Sequence, residues 1–93
     1  MLQPNQKQQI IKHLRPYNPT MVGVFGSYAR NEQRLDSDLD LLVKFAKPVN
    51  LLDLIGLEME LSDLLGIKVD LVTESSVLPA LRPYIEKDLQ RIL

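Results

Sequence analysis

The sequence predicts an α/β layer, a small mixed sheet of three or four strands flanked by helices in the order αβαβαβα. Three observations carry this reading. Short apolar, β-rich runs occur at residues 21–25, 39–45 and 67–73. A leucine-rich stretch with helical spacing, residues 51–65, lies between the second and third runs. The connection between the first two runs is too short for a usual parallel crossover, so the sheet is expected to be mixed.

The elements follow in chain order. Pro4 and Asn5 lead into a helix with Ile10, Ile11 and Leu14 at near-helical spacing, ended by Arg15-Pro16. Tyr17-Asn18-Pro19 reads as a turn before the first strand. Gly26-Ser27 breaks that strand, and Ser27 to Arg30 read as a helix start with Ser27 near its cap. The second strand, 39–45, has Asp38 at its mouth and Pro48 after it. Asn50 is a suitable N-cap for the helix over 51–65, Asp53 sits in its first turn, and Gly66 is its stop. After the third strand, Ser75 and Ser76 can cap a short helix that Pro79 interrupts and that resumes from 83 to 90.

Eighteen leucines supply aliphatic material for one core, and a chain of 93 residues is expected to form a single domain. The apolar runs are too short to span a bilayer. The polar start of the chain does not read as a secretion signal, so a cytoplasmic domain is expected. The absence of cysteine excludes disulfides, zinc ribbons and a thiol nucleophile, and one histidine excludes histidine ligand clusters. A net charge of −1 gives no global field for nucleic acid, and no direct nucleic-acid binding is expected. The charge is uneven, however. Residues 1–50 carry seven basic and four acidic side chains, whereas residues 51–93 carry four and eight. Three of the four acids in the basic half, Asp36, Asp38 and Asp40, fall within five positions.

Aspartate is depleted in strands, yet Asp38 and Asp40 bracket Leu39 where the second strand begins. Side chains alternate along a strand, so these two carboxylates share a face while Leu39, Leu41 and Val43 take the other. Like charges so close repel by about 1 kcal/mol in water and by more where solvent is scarce. A wet edge tolerates this, and so does a divalent cation between the oxygens. Mg²⁺ accepts one or two carboxylates together with phosphate oxygens and water. Asp70 repeats the anomaly inside Val69-Asp70-Leu71-Val72. By itself it also reads as a strand-end carboxylate paired to Lys68 or Arg82. If the second and third strands are neighbours, Asp70 joins Asp38 and Asp40, and three carboxylates make a site for two metal ions.

In this order, Phe25-Gly26-Ser27-Tyr28-Ala29-Arg30, Ser37-Asp38-Leu39-Asp40-Leu41 and Val69-Asp70-Leu71-Val72 resemble the signature of the minimal nucleotidyltransferases. These belong to the DNA polymerase beta-like nucleotidyltransferase superfamily, whose palm-like fold is then expected. The resemblance covers nearly the whole chain, including Leu81-Arg82-Pro83. It departs at Asn31, where the family commonly has glycine. It implies that Asp38 and Asp40 hold Mg²⁺, and that Asp70 completes the site and helps deprotonate an acceptor hydroxyl. It also implies that Gly26 and Ser27 hold the triphosphate of ATP. Glycine admits close backbone approach to phosphate, and N–H groups at a helix start favour anions. The implied partner is a helical HEPN-domain toxin, typically an RNase. The implied activity is transfer of AMP to a tyrosine hydroxyl of that toxin, with the chain as antitoxin. Two other readings stay open: a binding antitoxin that occludes its partner, and a homodimeric transferase for a small molecule of the aminoglycoside type.

Arg30, one turn after Gly26, suits either a phosphate or an ion pair with Asp36. Lys44 is expected to pair with Asp70 or Asp40, while Arg34, Lys47 and His13 read as surface and Tyr28 as packed under the turn. In the 51–65 helix, Asp53, Gly56, Glu60 and Asp63 form a polar stripe, and Leu54, Leu57, Leu61, Leu64 and Leu65 an apolar one. Leu51, Leu52, Ile55 and Met59 form a further flank, either covered by the terminal helices or offered to a partner.

Overall fold

The computed structural model describes residues 2–93. Helix α1 (Pro4–Leu14) leads through a 3₁₀ turn into β1 (Pro19–Phe25). The hairpin partner β2 (Leu39–Phe45), α2 (Leu51–Leu65) and β3 (Val69–Thr73) follow, then α3 (Arg82–Asp88) and the two-residue β4 (Gln90–Arg91). The four strands lie in the order β3-β2-β1-β4. β1 runs antiparallel to β2 and to β4, and β2 runs parallel to β3. The sheet is therefore mixed, as the short β1–β2 connection requires. The parallel pair is joined through α2, a right-sized crossover for strands that cannot be joined by a hairpin.

Both long helices pack on one face of the sheet. Ile10 and Leu14 from α1 and Leu57 and Leu61 from α2 meet Val22, Val24, Leu39, Leu41, Val43 and Val69 in one buried cluster. Asn50 caps α2, its Oδ1 accepting the Asp53 N–H at 2.8 Å, and Gly66 ends the helix with φ +67. The apolar stripe of α2 is narrower than its spacing implies. Leu57 and Leu61 are buried, but Leu64 is exposed, because the side turned to β3 also carries Glu58 and Ser62. Glu58 Oε2 accepts the Leu71 N–H at 2.7 Å and Ser62 Oγ accepts the Val69 N–H at 2.9 Å. These side chains occupy outward donors of the edge strand β3, which would otherwise offer itself for pairing. The flank is not covered by the terminal helices: Leu51, Leu52, Ile55 and Met59 are all exposed.

Two elements differ from the sequence reading. The segment after Gly26 is a single 3₁₀ turn, Gly26–Tyr28, with no side-chain cap from Ser27. Asn31 follows it with φ +58, a left-handed position that reverses the chain before a helix can propagate. Asparagine tolerates this conformation better than other side-chain-bearing residues, so the place where the family commonly has glycine keeps a glycine-like backbone. The expected C-terminal helix is also shorter. Pro79 stops helix from continuing out of the 3₁₀ turn Glu74–Ser76, and Pro83 is accommodated in the first turn of α3. Beyond Asp88 the chain extends as β4, pairing Gln90 with Val24 and Arg91 with Gly23. Gly23 has no side chain there, and a Cβ would collide with Leu89.

Candidate active site

The second face of the sheet carries the polar residues. β1 ends at Phe25, which sits opposite Asp40 in the antiparallel register. Gly26 then turns with φ +75, and a Cβ at this position would run into Asp40 Oδ2. Any side-chain-bearing residue would be strained by its backbone and displaced by the carboxylate. The Ala29 and Arg30 N–H groups return to Gly26 O at 3.1 and 3.2 Å. Ser27 and Tyr28 thus open the turn, where amide donors have no partner within the turn itself.

The parallel register sets Asp40 beside Asp70, and Leu39 N–H to Lys68 O at 2.8 Å fixes the mouth of the two strands. Asp38 lies one residue outside β2, with its Oδ2 at 3.7 Å from Lys68 Nζ. Burial first, then the charges of Asp70 and Asp38, push the Asp40 carboxyl up to about 6, while Arg30 works in the opposite direction. Asp40 is thus the carboxylate that feels the other two. Asp70 itself is exposed and forms no ion pair among the described residues. Lys68 goes to Asp38, and Arg82 Nη1 meets Glu74 Oε1 at 2.6 Å. Asp70 is therefore not the structural partner of Lys68 or Arg82 that its strand-end position suggests.

Two further expectations are corrected. Arg30 does not pair with Asp36: its Nη1 is 2.6 Å from Asp88 Oδ2 and its Nε 3.3 Å from Glu32 Oε2. These acceptors hold its guanidinium above its already high range. Lys44 pairs with neither Asp70 nor Asp40. Two strand steps of alternation carry it about 13 Å along β2, where its charge helps hold the Glu74 carboxyl below its ordinary range, second to Arg82. Arg34 and Lys47 are exposed, and Tyr28 packs against the core as expected. Among the described residues His13 bonds within its own helix, its Nδ1 3.0 Å from Gln9 O.

Among the described residues, no three His, Cys, Asp or Glu side chains stand close enough to enclose one ion. The donor set still fits Mg²⁺, which needs only one or two carboxylates when phosphate oxygens and water complete its shell. Burial raises the proton affinity of Asp40 most, and the charges of Asp70 and Asp38, which a cation would relieve, add to it. Two ties invisible in the sequence fasten the C-terminal segment to the Gly26 turn, Arg30 Nη1 to Asp88 Oδ2 and Gln90 Nε2 to Ala29 O at 2.9 Å. These contacts span about sixty residues, and no local pattern announces them.

A Gly-Ser turn set against paired strand carboxylates in a mixed sheet defines a nucleotidyltransferase layer. Residues 5–92 match the nucleotidyltransferase domain family, and the chain belongs to it. The chain is 48% identical over 77 residues to MJ1217 of Methanocaldococcus jannaschii, provisionally named a protein adenylyltransferase, covering 83% of this chain and 76% of that one. It is 54% identical over 56 residues to the protein adenylyltransferase MntA of Thermococcus cleftensis, covering 60% and 57%. Its fold matches a chain in the crystal structure of a toxin–antitoxin with AMP-PNP, with a TM-score of 0.85 and 27% identity over 94% of this chain and 72% of that one.

Proposed function

We propose that this enzyme is an antitoxin that transfers AMP from ATP to a tyrosine hydroxyl of a HEPN-domain toxin. In the transfer, the acceptor oxygen bonds to the α-phosphorus, the bond from that phosphorus to the bridging oxygen breaks, and pyrophosphate leaves. Asp38 and Asp40 would hold Mg²⁺, with Asp70 completing the site. Bound there, the cation would supply charge neutralisation for the triphosphate and the departing pyrophosphate. Gly26 and Ser27 hold the triphosphate with backbone donors, and Arg30 adds a cation beside them. Asp70, exposed on the edge strand, takes the proton of the incoming hydroxyl.

The observation that carries the reading is the register that sets Asp40 beside Asp70 while Gly26 lies against Asp40. The relatives named as protein adenylyltransferases and the toxin–antitoxin structure with a bound ATP analogue support the acceptor and donor classes. The test compares wild type with Asp70→Asn, which is nearly isosteric. Toxin binding should be unchanged, and the rate of AMP transfer should fall by a factor of about 10²–10⁴, the usual share of a general base. Equal rates would remove Asp70 from the chemistry.

A further inference from the structure

A cleft of about 510 Å³ opens directly beside the Gly26 turn. Gly26 and Arg30 form one wall, and Tyr84, Ile85 and Lys87 of α3 line the other. Its volume lies in the range that takes a small-molecule ligand. Tyr84, Lys87 and Asp88 occur at i, i+3 and i+4, so they share one face of α3. The 2.6 Å bond from Arg30 to Asp88 fastens that face to the turn. Asp88 is four-fifths buried in this contact, whereas the tyrosine ring beside it is 73% exposed and absent from the core cluster. Lys87 forms no ion pair among the described residues.

An uncovered aromatic ring and an unpaired ammonium, lining a ligand-sized cleft together with Gly26 and Arg30, are the parts of a nucleotide subsite. We propose that Tyr84 is the stacking platform for the nucleobase and that Lys87 contacts the phosphate chain. Asp88 acts as a positioning residue that holds Arg30 at the cleft wall. The inference rests on the nucleotidyl-transfer reading and adds to it the residues that grip the nucleoside. Stacking uses the π-face that every base has, so the platform binds nucleotides without strong base preference.

The test is calorimetric titration of the full chain with Mg-ATP and, separately, with magnesium tripolyphosphate, which has phosphates but no base. Tyr84→Ala should weaken ATP by about five- to a hundredfold, the usual effect of removing a stacking ring. It should leave tripolyphosphate unchanged, and Tyr84→Phe should retain wild-type ATP affinity. Lys87→Ala should weaken both ligands a few-fold. Both side chains are exposed, so the variants should melt as wild type does. If wild type binds ATP and Tyr84→Ala binds it equally well, the platform is overturned while the transfer reading stands. If wild type binds neither ligand, both readings fall.

Discussion

Replacing Asp40 by asparagine removes the charge that burial and two neighbouring carboxylates make costly, and the structure fixes the sign and window of the effect. The Asp40 carboxyl is raised from its ordinary 3.8 to about 6. The folded state therefore holds this proton more tightly than the unfolded state does. The stability it contributes is complete below about pH 4 and is lost as the pH rises through about 6. At ~1.4 kcal/mol for each factor of ten in proton affinity, this rise corresponds to about 3 kcal/mol. Asp40 is only half-buried, so solvent screening reduces this to about 1 kcal/mol. Urea melts of both proteins, with divalent ions chelated, should diverge between pH 4 and 6.5. Asp40→Asn should end about 1 kcal/mol more stable, which is about 4–8 °C in Tm for a domain of this size. Saturating Mg²⁺ should narrow the gap by stabilising wild type alone. Two stability curves that stay parallel across this range would refute the claim that burial and the neighbouring carboxylates make the Asp40 charge costly.

Mg-ATP should raise the Tm of wild type, and Asp38→Asn combined with Asp40→Asn should abolish that response while leaving the fold intact; a thermal-shift titration checks both. Glu58→Ala strips the acceptor from the Leu71 N–H on the sheet edge, and should cost about 1–2 kcal/mol by chemical denaturation. Ile55→Glu with Met59→Glu alters side chains that are 45% and 64% exposed, so the monomer should melt normally. The same variant should lose its toxin complex or its homodimer, measured by size-exclusion chromatography with light scattering; early melting would place the flank in the core instead.

What was legible in the sequence was local. Asn50 and Gly66 mark the ends of α2 because a cap and a left-handed stop act within a few residues of themselves. The carboxylate face could be read from Asp38 and Asp40 because strand alternation is a local rule. Bringing Asp70 to it required β2 and β3 to be neighbours in a register that pairs Asp40 with Asp70, which is a tertiary fact. The parts that escaped were longer in range or shorter in length. Arg30 chooses Asp88 over Asp36 because α3 folds back onto the turn. β4 has only two residues, both polar, and no periodicity to betray it. Glu58 and Ser62 look like ordinary polar positions of a helix until β3 is laid beside them. Ser27 resembles a helix cap, so the sequence predicts a helix where the chain makes a 3₁₀ turn, and the reversal at Asn31 lies in a backbone angle.

If the toxin is silenced by chemistry, the modification is carried in the toxin's own mass. The HEPN partner is purified after co-expression with wild type and with Asp70→Asn, weighed intact by mass spectrometry, and assayed for RNase activity. Wild type should add one or more AMP units to the toxin and abolish its RNase activity. Asp70→Asn should leave the mass unmodified and the toxin active once the complex is separated. A toxin of unmodified mass in both cases, silenced equally while either protein stays bound, would contradict silencing by chemistry and make this chain an occluding antitoxin.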